Sequence, residues 1–591
     1  MDDVLRIGNA SGFYGDRHTA LREMVEDGPL DVVTGDYLAE LTMLILWRSR
    51  QKDPATGYAK SFLRQLREVI LPIHQRRIKV VVNAGGLNPA GLAAAVRDLV
   101  AEVGVELHVA HVTGDDLTAQ LDDLEAAGTG LAHLDTGRPF VGSGLHPLTA
   151  NAYLGGWGIA AALSEGADVV VTGRVTDASL TVGPAAWRFG WQRDDLDALA
   201  GAVVAGHAIE CGAQATGGNY AFFREIADLD HPGFPIAEVH ADGSSVITKH
   251  LGTGGQVDRG TVTAQLLYEI GGPRYLNADV TARFDTISLA DDGPDRVRIS
   301  GVQGEPPPRT SKVSVTTLGG FRNQAVFVLT GLDIPQKADL LRRQLHAAID
   351  LEALDHVDWR LTRSDHPDAS DNAEATASLT VTVHHHDPEP IGRRGFANAC
   401  VELALASYPG FTLTAAPDDA EPFGRYWPGR IDAEVLRERV VLQDGRERSM
   451  EQSGALVGTE VEARPPVPIP SVDHAPAGPT ARAPLGELVG ARSGDKGGDA
   501  NIGLWVPDVD HYGWLLATVG TPAAIRALLP EAEQLDVEIY PLPNLAAVNV
   551  VVRGLLGDGV ASSTRPDPQA KGLGEYLRSR LVDVPEAWLS G

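Results

Sequence analysis

The segment ARSGDKGGDANIGL, residues 491–504, sets Arg492, Asp495, Lys496, Asp499 and Asn501 among four glycines, ahead of an apolar run. Lysine between acids suits charge neutralisation. In a cleft, Lys496 can stabilise an enolate, carboxylate or phosphate, with Asp495 or Asp499 tuning its position. Arg492 joins the same polar group because the loop reverses direction within a few residues. The glycines, Asp499 and Asn501 are equally what a plain surface turn requires.

TGRVTDAS, residues 172–179, offers a second group. Arg174 can clamp an anionic oxygen, and Asp177, three residues on, can orient the guanidinium or move a proton. A helix-start salt bridge would use the same spacing. In HVTGDD, residues 111–116, His111 and Asp115 form a weaker acid/base pair across a VTG turn. NAGGLNP, residues 83–89, presents the Asn83 and Asn88 amides, while Gly85 and Gly86 expose backbone N–H groups to an oxygen ligand. Pro89 suits the first position of a following helix. IGNASGFYGDRH, from Ile7, ends in Asp16, Arg17 and His18; Asp16 is either a proton-transfer group or the cap of a helix opening at Arg17. The expected catalytic set is therefore Asp16, His111, Arg174, Asp177 and Lys496. The expected ligand-holding set is Asn83, Gly85, Gly86, Asn88, Arg492, Asp495, Asp499 and Asn501.

Other tempting groups carry less. Within a strand, the run His384–His386 points two rings one way and one the other, which is not a three-ligand geometry, so no metal is expected. Cys211 has no histidine close in sequence and reads as a buried thiol. No GxGxxG, GxxxxGK[ST] or GxSxG pattern stands at a strand end, so no resident nucleotide cofactor and no ordinary serine nucleophile is expected. The formal charge of −29 opposes nucleic-acid binding but not a small anion held by local cations. Two cysteines without a CxxC motif, an acidic start and no 18-residue apolar span predict a cytoplasmic chain free of membrane spans. Nothing opposes a homo-oligomer.

The elements that must position these loops follow a repeated pattern. Valine-rich runs at 30–36, 78–86, 103–116 and 167–179 end in polar or glycine punctuation, and AGLAAAVRDLVAEV between two of them has helical spacing. That is βα alternation with strands buried on both faces, hence a layered α/β body with a mostly parallel sheet over residues 1–274. Ligands in such sheets lie beyond the carboxyl ends of the strands. From about Tyr275 alternating strands and the helix-like QKADLLRRQLHAAIDLEAL predict a mixed α+β subdomain to residue 463. Seven prolines in residues 464–484 predict a linker. Residues 485–591 then read as a small α+β module with strands near 485–491, 501–507 and 513–519, two later strands and two helices, its sheet covered on one face.

Taken together, IGNASGFYGDR, VVNAGGLNP, VVVTGRVTDASL and ARSGDKGGDANIGL resemble the AtuA family of acyclic terpene utilisation proteins, over nearly the whole chain. The resemblance implies an α/β body and a ferredoxin-like C-terminal domain. It also implies a place in bacterial catabolism of compounds such as citronellol and geraniol, whose intermediates travel as CoA thioesters. It supplies no catalytic residues. The leading expectation is an enzyme acting on an acyl-CoA thioester, a lyase or hydratase. The alternative is a non-catalytic binding or assembly subunit of a CoA-dependent complex.

Overall fold

The computed structural model describes residues 4–128, 130–450 and 478–589. Its centre is a parallel sheet. Strands β1 (Val4–Asn9), β2 (Val32–Gly35), β3 (Lys79–Val82), β4 (Val109–Thr113) and β5 (Val169–Thr172) lie in the order β1-β2-β3-β5-β4. All four contacts between neighbours are parallel. Antiparallel strands extend both edges to eleven: Pro235–His240, Ser245–Lys249, Val297–Ser300 and Ser288–Asp291 beyond β1, and Arg439–Val441 and Glu447–Ser449 beyond β4.

Valine runs form this sheet because both of its faces are covered. Val80, Val82, Val169 and Val171 enter one core with Phe62, Leu66, Leu92 and Val96 of the helices Lys60–Arg76 and Pro89–Val103. Val81, Val170, Ala110 and Val112, one step along in each strand, enter a second core with Ile159, Val203 and Val204 on the opposite side. Period-two alternation thus feeds two hydrophobic layers rather than one core and solvent.

Parallel pairing puts the carboxyl ends of all five strands on one edge. There Asp36 N–H donates to the Ser11 carbonyl at 2.8 Å, and Asn83 Nδ2 donates to Asp36 Oδ1 at 2.6 Å. Asp115 Oδ2 accepts from the Arg174 N–H at 2.8 Å and from Asn151 Nδ2 at 2.9 Å. Arg174 Nη1 donates to the Leu38 carbonyl at 3.4 Å, so the loops after β1, β2, β3, β4 and β5 are tied to one another.

The C-terminal module is an antiparallel sheet in the order Gly490–Lys496, Asp499–Trp505, Ala547–Val552, Val537–Leu542. Helices Tyr512–Val519, Pro522–Leu528 and Leu573–Arg578 share a core with one of its faces. The opposite face meets the body: a Cβ on Gly503 would overlap Leu267, and one on Gly494 would overlap Tyr268. Residues 513–519, expected as a strand, are helical; WLLATV lies on a buried helix, where apolar character all round erases the period that separates helix from strand. Thr480–Pro484, expected in the linker, is a strand paired with Leu581–Pro585. Its two prolines lie at or just before the strand ends, where no ladder donor is lost. The rest of the expected linker, 464–477, lies outside the described residues.

The chain forms two compact units. One comprises Met1–Thr316, Tyr426–Val560 and Gln569–Gly591, the other Thr317–Arg425 and Ala561–Pro568. The expected boundary at 274/275 does not coincide with this division, because Ser288–Asp291 and Val297–Ser300 complete the central sheet. The second unit has its own core, in which Phe327, Leu379 and Val381 of long antiparallel strands pack on Leu341 and Leu345 of the helix Ile334–Ala348.

Candidate functional site

Arg174 leaves the end of β5 and is buried to 4% exposure. Its Nη1 pairs with Asp177 Oδ1 at 2.6 Å, and its guanidinium lies 4.2 Å over the Tyr153 ring. Tyr153 is shared: Lys312 Nζ lies 4.7 Å from the same ring, and the Tyr153 hydroxyl is 3.3 Å from Glu40 Oε1. Lys312 and Glu40 form an ion pair at 3.6 Å, and Lys312 also sits 5.6 Å from the Tyr426 ring. Two cation–carboxylate pairs thus flank one aromatic plate.

Lys496 enters from the hairpin between Gly490–Lys496 and Asp499–Trp505. Its ammonium donates to the Glu269 carbonyl at 2.8 Å and lies 6.0 Å from the Tyr275 ring. Among the described residues, no carboxylate stands at ion-pair distance from it. The side chain keeps exposed surface, yet burial is the largest influence on its proton affinity, followed by Lys312, and both hold that affinity below the usual lysine value.

Neighbouring acids are driven toward their neutral forms. Burial raises Asp495 to about 8, helped by Glu269 and Glu40. Burial also raises Glu269, and it raises Glu210 and Asp36 strongly, with Asp177 adding repulsion to the latter two. Glu40 runs the other way: burial alone would raise it, but Lys312 and Arg174 outweigh that and keep it ionised. Glu210 Oε1 lies 2.9 Å from Nδ1 of His207, a ring pushed down to about 4 by burial and by Lys496. Arg174, Asp177 and Lys496 all act on Glu210, so the body loops and the C-terminal hairpin share one electrostatic neighbourhood.

The two modules are registered by amides. Asn501 Oδ1 accepts the Glu269 N–H at 2.7 Å, its Nδ2 donates to Asn549 Oδ1, and Asn549 Nδ2 donates to the Gly271 carbonyl at 2.5 Å. Arg492, 6% exposed, stacks 4.3 Å over Tyr268.

The remaining expected residues hold the fold locally. Asp499 braces its own module through Arg553 at 2.6 Å and the Gly554 N–H at 2.7 Å, so it does not tune Lys496. One of the two NAGG glycine N–H groups is already taken. Gly86 N–H donates to Asn83 O, and Gly85 O accepts from Asn88 N–H at 2.8 Å. Gly85 is required because a Cβ would overlap the Thr172 carbonyl. Asn83 accepts the Tyr37 N–H at 2.7 Å, and Asn88 caps the helix Pro89–Val103 through Gly91 N–H. His111 and Asp115 do not pair. His111 faces the α-helical layer beside Arg97, and burial followed by that cation pushes it down to about 4. Asp16 accepts the Gly12 N–H at 2.6 Å and caps no helix, since the helix begins at Ala20 after Thr19. Arg17 pairs with Glu23 and His18 with Glu68, away from Asp16.

Sequence reading missed Glu40, Tyr153, Glu210, Glu269, Tyr275, Lys312 and Tyr426. Tyr153, Glu210, Glu269 and Tyr275 do lie beside glycines, but none of them follows one of the five central strands; Lys312 and Tyr426 sit in long strands whose alternation marks a face but not its use. Asp36 follows β2 in TGDY, a strand-end position, which was the one available signal.

The family model described as acyclic terpene utilisation family protein AtuA matches residues 5–442, and the model described as AtuA ferredoxin-like domain matches residues 483–583. No curated protein matches the chain. No helix among the described residues is long and apolar enough to cross a membrane.

Proposed function

The chain belongs to the acyclic terpene utilisation family, AtuA, and from that premise we propose that it is a catabolic enzyme acting on an acyl-CoA thioester by lyase or hydratase chemistry. The observation that carries this reading is Lys496: an exposed ammonium, bonded to a carbonyl but paired with no carboxylate among the described residues, and acted on by Glu269 and Glu210, which burial pushes toward neutrality.

Lyases and hydratases at this level make or consume an enolate. Such an intermediate needs a fixed cation at the developing oxyanion and a group that gives or takes a proton. Lys496 suits the oxyanion role, because its charge is not already neutralised by a partner. Asp495 suits proton delivery, since it holds its proton at neutral pH yet titrates within reach of it. Arg174 with Asp177, and Lys312 with Glu40, would bind and orient polar groups of the substrate. The assignment to acyl-CoA substrates rests on the family's association with terpene catabolism.

Incubating the purified chain with branched and terpenoid acyl-CoA thioesters, followed by mass spectrometry, tests the proposal. A mass change of 18 or a cleavage product that disappears in Lys496→Met supports it. Saturable binding of a thioester without turnover would favour a non-catalytic subunit, and neither binding nor turnover would remove the thioester from the reading.

A further inference from the structure

The second unit carries a histidine cluster that alternation along a strand would split between two faces. The strand Thr376–His385 pairs with His356–Thr362 in a register that sets His384 opposite His356. Asp355, one residue before the latter strand, therefore falls opposite His385 and on the other face. The strand ends at His385, so His386 is released from the alternation, and its ring stacks on that of His385 with centroids 4.1 Å apart. His386 Nδ1 lies 3.2 Å from Asp355 Oδ2. One ligand atom from each of Asp355, His385 and His386 lies within 4.8 Å of the other two.

We propose that Asp355, His385 and His386 form a surface site for a divalent transition-metal ion of the zinc type. Two imidazoles and a carboxylate make a borderline donor set, suited to such ions more than to Ca²⁺ or Mg²⁺. Bonds of roughly 2.1 Å in a tetrahedron would bring the ligand atoms to about 3.4 Å from one another. Both Asp355 and His386 are exposed and can rotate to close the difference. His385 is already oriented by its own turn: Nδ1 lies 3.0 Å from the Asp387 carbonyl and 3.1 Å from the Asp387 N–H, so Nε2 is the nitrogen a metal would meet.

His384 turns to the other face, where its ring packs 5.3 Å from that of His356 and 4.6 Å from that of Phe423. All three residues of the proposed site belong to the second unit, and the proposal does not rest on any reaction at Lys496.

Titrating untagged, full-length protein with ZnCl₂ by calorimetry, and with Co²⁺ by visible absorption, tests the site. The wild type is expected to bind one more equivalent of Zn²⁺ than His385→Ala/His386→Ala, and the Co²⁺ band should vanish in that variant. Asp355→Asn should weaken the same equivalent by at least about tenfold. Equal stoichiometry in wild type and double variant, or full affinity in Asp355→Asn, would overturn the three-ligand site. All three residues sit at an exposed strand end, and unchanged circular dichroism would show that each variant is folded.

Discussion

Lys496 of the C-terminal hairpin donates to the main-chain carbonyl of Glu269 in the body at 2.8 Å, so the cation is positioned by backbone and its charge is left uncompensated by that contact. Had the partner been the Glu269 carboxylate, the ammonium would have been spent on a salt bridge. Lys496→Met keeps the length of the side chain and removes the charge. It is expected to lower turnover, or thioester affinity if turnover is absent, by about 100-fold or more. The melting temperature should stay close to wild type, because no ion pair is broken. Steady-state kinetics or calorimetry beside a thermal melt checks both halves.

Arg174 predicts the opposite balance. Its guanidinium is buried, stacked on Tyr153 and paired with Asp177, and it offsets the repulsion between Asp177 and Asp36. Arg174→Ala takes the cation from beside buried Asp36 and partly exposed Asp177, at an expected cost of about 1–3 kcal/mol. The sequence alone suggests a ligand clamp whose removal would spare stability. The structure gives it contacts that support the fold. Chemical denaturation of Arg174→Ala against wild type measures the loss, and an unchanged midpoint would mean that Asp36 and Asp177 relax without it.

How far the site could be read in advance depended on where each residue lies. Arg174, Asp177 and Asp495–Lys496 sit beside glycines that punctuate strand ends, and a strand end in a parallel sheet is where ligands gather. Their sequence neighbourhoods therefore marked them as candidates. The α/β body and the ferredoxin-like module were legible for a related reason, since valine runs bounded by glycine have few other uses. Lys312 and Tyr426 come from antiparallel strands far along the chain, and only tertiary pairing brings them to Tyr153. Asp16, His111 and Asn88 show the converse. Their types suggested chemistry, but each meets a backbone or packing need of its own loop or strand, which one sequence cannot separate from function.

Gly503 governs how the module docks. A Cβ there would overlap Leu267, backbone-proximal and unable to swing away, on a face where Asn501 and Asn549 must reach residues 269–271. Gly503→Val is expected to destabilise by about 1–3 kcal/mol, as overpacking does. It should also lower activity through displacement of Lys496, although Gly503 touches no ligand group. Asn501→Ala separates the two effects, for it leaves the Glu269 N–H unpaired without adding bulk. If the placement of Lys496 depends on registration, both variants should lose activity while Lys496 itself is intact. Activity retained by both would show that Lys496 acts without the Glu269–Gly271 turn.

Asp495 gives a pH dependence with a definite sign. Burial holds its folded carboxyl near 8, against about 3.9 in the unfolded chain. Between those values the native state keeps a proton that the unfolded state has released. Asp495 therefore makes stability fall as pH rises from about 4 to about 8, and its contribution is flat above that. Asp495→Asn removes the titration with little change in shape. Its melting temperature is expected to match wild type most closely at the acid end and to exceed it increasingly up to pH 8. Melts at pH 5, 7 and 9 read the gap directly. A gap that does not widen between pH 5 and 9 would mean that the carboxylate is ionised in the fold, and the proton assigned to it for delivery to an enolate would have to come from Glu269 or Glu210 instead.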